Sequence, residues 1–123
     1  MFNNLFSRSA PAFETLTAPE ALALHGRPDT VFVDVRGPDE IARSGTVRGA
    51  IRAPLPGLAN FVRSDRSGTL PSAESGTTIV LVCASGMRSA AAAQQLADMG
   101  YPRLVNLRGG FAAWASAGGP TER

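Results

Sequence analysis

Ile79-Val80-Leu81-Val82-Cys83-Ala84-Ser85-Gly86-Met87-Arg88-Ser89 runs from an apolar stretch, through a short polar loop, into the alanines at 90–93. A short run of β-branched and aliphatic residues with little alternation reads as a strand buried on both faces. From Ser89 to Met99 the alanines favour helix, with Ala92, Leu96 and Met99 on one face and Gln94, Gln95 and Asp98 on another. Gly100 is placed to end that helix. Strand, tight loop and helix in succession form the repeating unit of an α/β domain.

The loop holds the only cysteine of the chain. Free cysteines are often inert packing elements, and such a residue would sit inside the apolar run. Cys83 instead ends the run and is followed by small and polar residues. Gly86 allows the loop to close tightly, and the following helix directs unpaired N–H groups and the positive end of its dipole back at the sulfur. Arg88 adds a full positive charge, and both effects favour the thiolate. Arg88 has a second reading, as a structural salt bridge or a solvent-facing charge. Ser89 is read first as a helix cap and second as a partner of the thiolate.

The rest of the chain alternates in the same way. Phe13 to Leu16 is a short first strand, and Thr17-Ala18-Pro19-Glu20 is a capping box opening a helix that stops near Gly26. Val31 to Val35 is a buried strand. Pro38-Asp39-Glu40 opens a short helix ending near Gly45, and Ala50 to Ala53 is an edge strand stopped by Pro54. Leu58 to Arg63 is helical, and Ser64 to Thr78 reads as the most mobile loop. Leu104 to Leu107 returns to the sheet, and Phe111 to Ala117 forms the last helix, with Gly109-Gly110 permitting a tight turn. Ligands of such sheets sit beyond the carboxyl ends of the strands. Asp34 and Arg36 at the end of one strand and Cys83 at the end of another are expected to face one crevice. Arg36 is expected to pair with Glu40, Asp34 to bond loop amides, and His25 to favour a helix dipole.

Four stretches together resemble the rhodanese-like sulfurtransferase family. Cys83 and Arg88, with four residues between them and followed by Ser89 and a helix, are similar to its active-site loop. Val31-Phe32-Val33-Asp34-Val35-Arg36 with Glu40, Gly45-Thr46-Val47-Arg48-Gly49-Ala50-Ile51, and Val105-Asn106-Leu107-Arg108-Gly109-Gly110-Phe111-Ala112-Ala113-Trp114 resemble its other landmarks, in order. Two positions depart from the pattern: Thr46 stands where the family usually has histidine, and Ala84 where many active members have arginine. The resemblance implies a mostly parallel five-stranded sheet flanked by helices on both faces. It also implies transfer of a sulfane sulfur from a donor such as thiosulfate to cyanide or a thiol, through a persulfide on Cys83. Ala84, Ser85, Gly86, Met87, Arg88 and Ser89 would hold the persulfide and the donor anion, with Asp34, Arg36 and Glu40 as structural support. No cofactor or metal is implied, and a sulfur-relay protein is a conceivable partner.

Composition bounds these readings. At 123 residues the chain is one domain, residues 1–123, with a core over about 13–118 and short flexible termini. The apolar content is 44%, and no apolar stretch approaches the length of a membrane helix. The first residues do not read as a secretory signal. One cysteine makes neither an intrachain disulfide nor a thiolate zinc site, which fits a reducing, cytoplasmic setting. The net charge of +2 comes from scattered arginines, without a lysine, so nucleic-acid binding gains no support. The lone His25 lies far from Cys83 in sequence, against a papain-like hydrolase. A non-catalytic binding module remains an alternative. Phosphatases and arsenate reductases of related fold are a weaker one, because their loops carry one more residue between cysteine and arginine.

Overall fold

The computed structural model describes residues 12–64 and 68–123. The expected flexible N-terminal residues up to 11, and Asp65, Arg66 and Ser67 of the expected mobile loop, lie outside the described residues. In chain order the elements are β1 (Glu14–Leu16), α1 (Ala18–Leu22), β2 (Thr30–Asp34), α2 (Pro38–Ser44), β3 (Thr46–Val47), β4 (Ile51–Arg52), α3 (Leu58–Ser64), β5 (Thr78–Val82), α4 (Met87–Asp98), β6 (Leu104–Leu107), α5 (Gly110–Ser116) and β7 (Thr121–Glu122). Short 3-10 turns at Leu55–Gly57 and Ala73–Ser75 complete it.

Five parallel strands form the sheet, in the order β1-β6-β5-β2-β4. The order reverses between β5 and β2, the position at which a crevice opens beyond the strand ends. Ile79 and Leu81 of β5 join Val33, Leu58, Ala92 and Leu96 in the core on one face. Val80 and Val82 meet Phe32, Ala18, Ala21, Phe111 and Trp114 on the other. Helices therefore cover both faces, α3 and α4 on one, α1 and α5 on the other. Each buried aliphatic side chain contributes about 1.5–3 kcal/mol, which explains why the two apolar strands occupy the middle.

Local signals place most helix starts. Thr17 Oγ1 accepts from the Glu20 amide at 3.3 Å, and Glu20 Oε1 accepts from the Thr17 amide at 2.8 Å, completing the capping box. The helix itself is shorter than expected, ending at Leu22 before a turn at Gly26. Helix α4 starts at Met87, two residues ahead of the expected start. Part of the Ser64–Thr78 loop is tied down: Leu70 is buried, and Tyr101 Oη donates to the Pro71 carbonyl at 2.8 Å.

The C-terminal end, expected to be free, packs on the body instead. β7 pairs antiparallel with β3, the Pro120 carbonyl accepts from both Trp114 Nε1 at 2.9 Å and the Arg48 amide at 3.1 Å, and Arg123 Nη1 donates to the Ala42 carbonyl. His25 bonds the Arg48 carbonyl through Nε2 at 2.9 Å and packs on Phe32 and Trp114, in place of the expected dipole role. Among the described residues no helix is long and apolar enough to cross a membrane.

Candidate active site

Cys83 follows directly on β5, and strand alternation puts its side chain on the same face as Ile79 and Leu81. The sulfur is buried, beneath a loop whose Ala84, Ser85 and Met87 face solvent. The backbone then turns at Gly86, with φ of +105°, directly before α4. That turn brings the Gly86 N–H back onto Cys83 Sγ at 2.9 Å.

The last helix clamps the loop from the other side. Phe111 N–H, in the first turn of α5, donates to the Cys83 carbonyl at 2.7 Å. Gly110 has φ of +65°, and a Cβ there would run into the carbonyls of Cys83 and Ala84. The Gly109-Gly110 pair thus does more than turn the chain: it lets the cysteine loop lie directly on α5.

Ser89 departs from its expected first role. It caps no helix; its hydroxyl stands 3.3 Å from Cys83 Sγ and donates to Asn106 Oδ1 of β6. Burial pushes the Cys83 thiol pKa up, and that is the largest single effect on it. The Ser89 hydroxyl and the amides of Ser89, Gly86 and Ser85 together outweigh it, leaving the thiol below its ordinary value.

The charged groups pair differently from the sequence expectation. Arg88 Nη1 and Nη2 donate to the two oxygens of Glu40 at 2.6 and 2.7 Å, joining α4 to α2. The Arg88 guanidinium holds the Glu40 carboxyl at about 2. Arg36 does not pair with Glu40. It turns back on Asp34, with Nη2 on Oδ2 at 2.8 Å and Nε on Oδ1 at 3.0 Å, and also donates to Ser44 Oγ and the Gly45 carbonyl. Asp34 does accept one loop amide, that of Arg36, at 3.0 Å.

Asp34 and Arg36 are closed off from solvent. Both are buried on the Phe32 face of the sheet, where Arg36 lies 4.7 Å from the centre of the Phe111 ring. Removing either partner of such a buried pair costs about 3–5 kcal/mol, so the pair braces the strand end rather than lining the mouth. Glu40 is the acidic residue that reaches the cysteine loop, through Arg88. Thr46 fills the place of the family histidine by donating its hydroxyl to Asp34 Oδ2 at 2.7 Å.

Sequence reasoning did not single out Asn106, which is buried and bonded to Ser89. Its signal was available: it is the one polar residue in the otherwise apolar β6. A hollow of about 430 Å³ lined by Phe13, Glu14, Arg103 and Leu104, and another of about 450 Å³ beside Thr17, Arg108 and Ala113, both lie away from Cys83.

Residues 17–117 match the rhodanese-like domain family. A sulfurtransferase of Allochromatium vinosum is 37% identical over 95 residues, covering 75% of this chain and 78% of that protein. The thiosulfate sulfurtransferase GlpE of Pseudoalteromonas translucida is 28% identical, covering 86% of this chain and 92% of its own. A solved structure from Rhodopseudomonas palustris, described as a protein of unknown function and possible tyrosine phosphatase, superposes with a TM-score of 0.80 at 39% identity. It covers 90% of this chain and 86% of that one.

Proposed function

The chain belongs to the rhodanese-like domain family, and from that premise we propose that it is a sulfurtransferase using Cys83 as its nucleophile. The observation that carries the reading is the sulfur itself, held 2.9 Å from the Gly86 N–H at the start of α4 with its pKa lowered. A thiolate is the attacking form, and backbone amides that favour it also favour a terminal persulfide.

The reaction runs in two steps. Cys83 thiolate attacks the outer sulfur of thiosulfate, a new S–S bond forms, and the original S–S bond breaks with its electron pair leaving on sulfite. Cyanide then attacks the terminal sulfur of the persulfide. A C–S bond forms, the bond to Cys83 breaks, and thiocyanate departs while the thiolate is regenerated. A low-molecular-weight thiol or a relay protein would take the place of cyanide as acceptor in a reducing cytoplasm. The amides from Ala84 to Ser89 serve as the anion nest, and Arg88 lies at its edge. Exposed Ala84, Ser85 and Met87 leave an acceptor room to approach. Asp34, Arg36 and Glu40 position this loop without touching substrate.

The loop has four residues between Cys83 and Arg88, which suits a sulfur atom better than a tetrahedral phosphoryl group. Wild-type protein is expected to form thiocyanate from thiosulfate and cyanide, and Cys83→Ser to form none while melting at the same temperature. Hydrolysis of an aryl phosphate without thiocyanate would favour phosphoryl transfer. Neither activity, with an unreactive thiol, would favour a binding module.

A further inference from the structure

All four residues of β6 are buried, Leu104, Val105, Asn106 and Leu107, and across the sheet Asn106 faces Leu81 on one side and Thr15 on the other. A primary amide among such neighbours is costly unless it is bonded. Its Oδ1 accepts from the Ser89 hydroxyl, and Ser89, itself fully buried, stands 3.3 Å from Cys83 Sγ. Asn106, Ser89 and Cys83 therefore form one chain of polar contacts spanning β6, α4 and the end of β5.

The Ser89 hydroxyl has a single proton to give. When it goes to Asn106 Oδ1, the serine oxygen is left to accept from the cysteine S–H. A thiolate or persulfide has no such proton, so the hydroxyl must turn toward sulfur, and Asn106 keeps its contact only by presenting Nδ2 in place of Oδ1. An amide can do both. A carboxylate can only accept, and an aliphatic side chain can do neither.

We infer that Asn106 is a positioning residue which directs the Ser89 hydroxyl and so sets the balance between thiol and thiolate at Cys83. The inference rests on the reading of Cys83 as the nucleophile. Among the described residues, Arg88, bound to Glu40, is a charge that acts on Cys83, and the Asp34–Arg36 pair lies on the other face of the sheet; the test leaves all of them in place.

Because the protein has one thiol, ultraviolet absorbance of the thiolate reports Cys83 alone. Asn106→Leu, close in volume, removes the acceptor and leaves sulfur as the partner of Ser89, so the titration midpoint falls by about one unit. Asn106→Asp can only accept, and its midpoint rises by at least as much. Each variant is repeated with Ser89→Ala. The Leu shift then disappears, and the Asp shift shrinks to the part its charge exerts directly. Shifts of the same size with and without Ser89, or no shift in either variant, would overturn the role. If Asn106→Leu fails to show a cooperative melt, the Asp pair decides. Persulfide formation by the wild-type protein is scored in parallel. A coupled titration without persulfide keeps the role of Asn106 and sinks sulfur transfer, and an uncoupled titration with persulfide does the reverse.

Discussion

Arg88 is the residue whose role changed most between sequence and structure. Its charge was expected to lower the cysteine pKa, and it does attract the Cys83 sulfur, but the bonds that lower the thiol come from Ser89 and the loop amides, while Arg88 is engaged by Glu40. Arg88→Ala is therefore expected to move the thiol titration little. Its effect belongs on the donor anion: loss of a partly exposed charge, worth about 1 kcal/mol, raises the KM for thiosulfate about fivefold with kcat largely kept. A thiol midpoint restored to its ordinary value in that variant would return Arg88 to its expected role. Glu40 titrates at about 2 in place of 4.5. A carboxyl lowered on folding stabilises fully above its ordinary value and ceases to do so as pH falls toward 2. Wild-type and Glu40→Gln melting curves should differ above pH 4.5 by no more than about 1 kcal/mol, since both side chains are about a third or more exposed, and converge in stronger acid.

The elements that matter are two glycine-led helix starts brought face to face. The turn at Gly86 aims an amide at sulfur, and the turn at Gly109-Gly110 lets α5 approach the Cys83 carbonyl. Gly110 and Gly118 share a left-handed backbone, φ of +65° and +81°, but a Cβ has no room at Gly110 and meets nothing within 4 Å at Gly118. Gly118→Ala should cost about 1 kcal/mol for its conformation alone. Gly110→Ala adds the clash and should cost about 3 kcal/mol or displace the cysteine loop. Urea titration measures the first outcome and loss of thiocyanate formation the second. Equal, small costs at both sites would show that the loop does not rest on α5. Apart from β3 and β7, the strands and helices were legible from their patterns, because β-branched runs and a capping box act within a few residues. The partners of Arg36 and Glu40 were not. Both acids lie within reach of Arg36 in sequence, and only the turn of the chain after β2, with Ser44 and the Gly45 carbonyl completing the guanidinium shell, decides for Asp34.

Across the whole molecule, the parallel order β1-β6-β5-β2-β4 places Cys83 beside the switch between β5 and β2, whereas the sequence had put it only at the carboxyl end of a strand. Two long-range contacts escaped that reading for the same physical reason. The β3–β7 pair and the Asn106–Ser89 bond join segments far apart in the chain, and neither leaves a local pattern beyond one polar residue in an apolar strand. The proposed outcome of this fold and of the polar contacts under the loop is a sulfur atom carried by Cys83. The direct test is the intact mass of the whole protein after exposure to thiosulfate. The account predicts a gain of one sulfur atom on the wild type, released by cyanide as thiocyanate and absent from Cys83→Ser. An unchanged mass in a folded wild-type protein, or the same gain in Cys83→Ser, would contradict it.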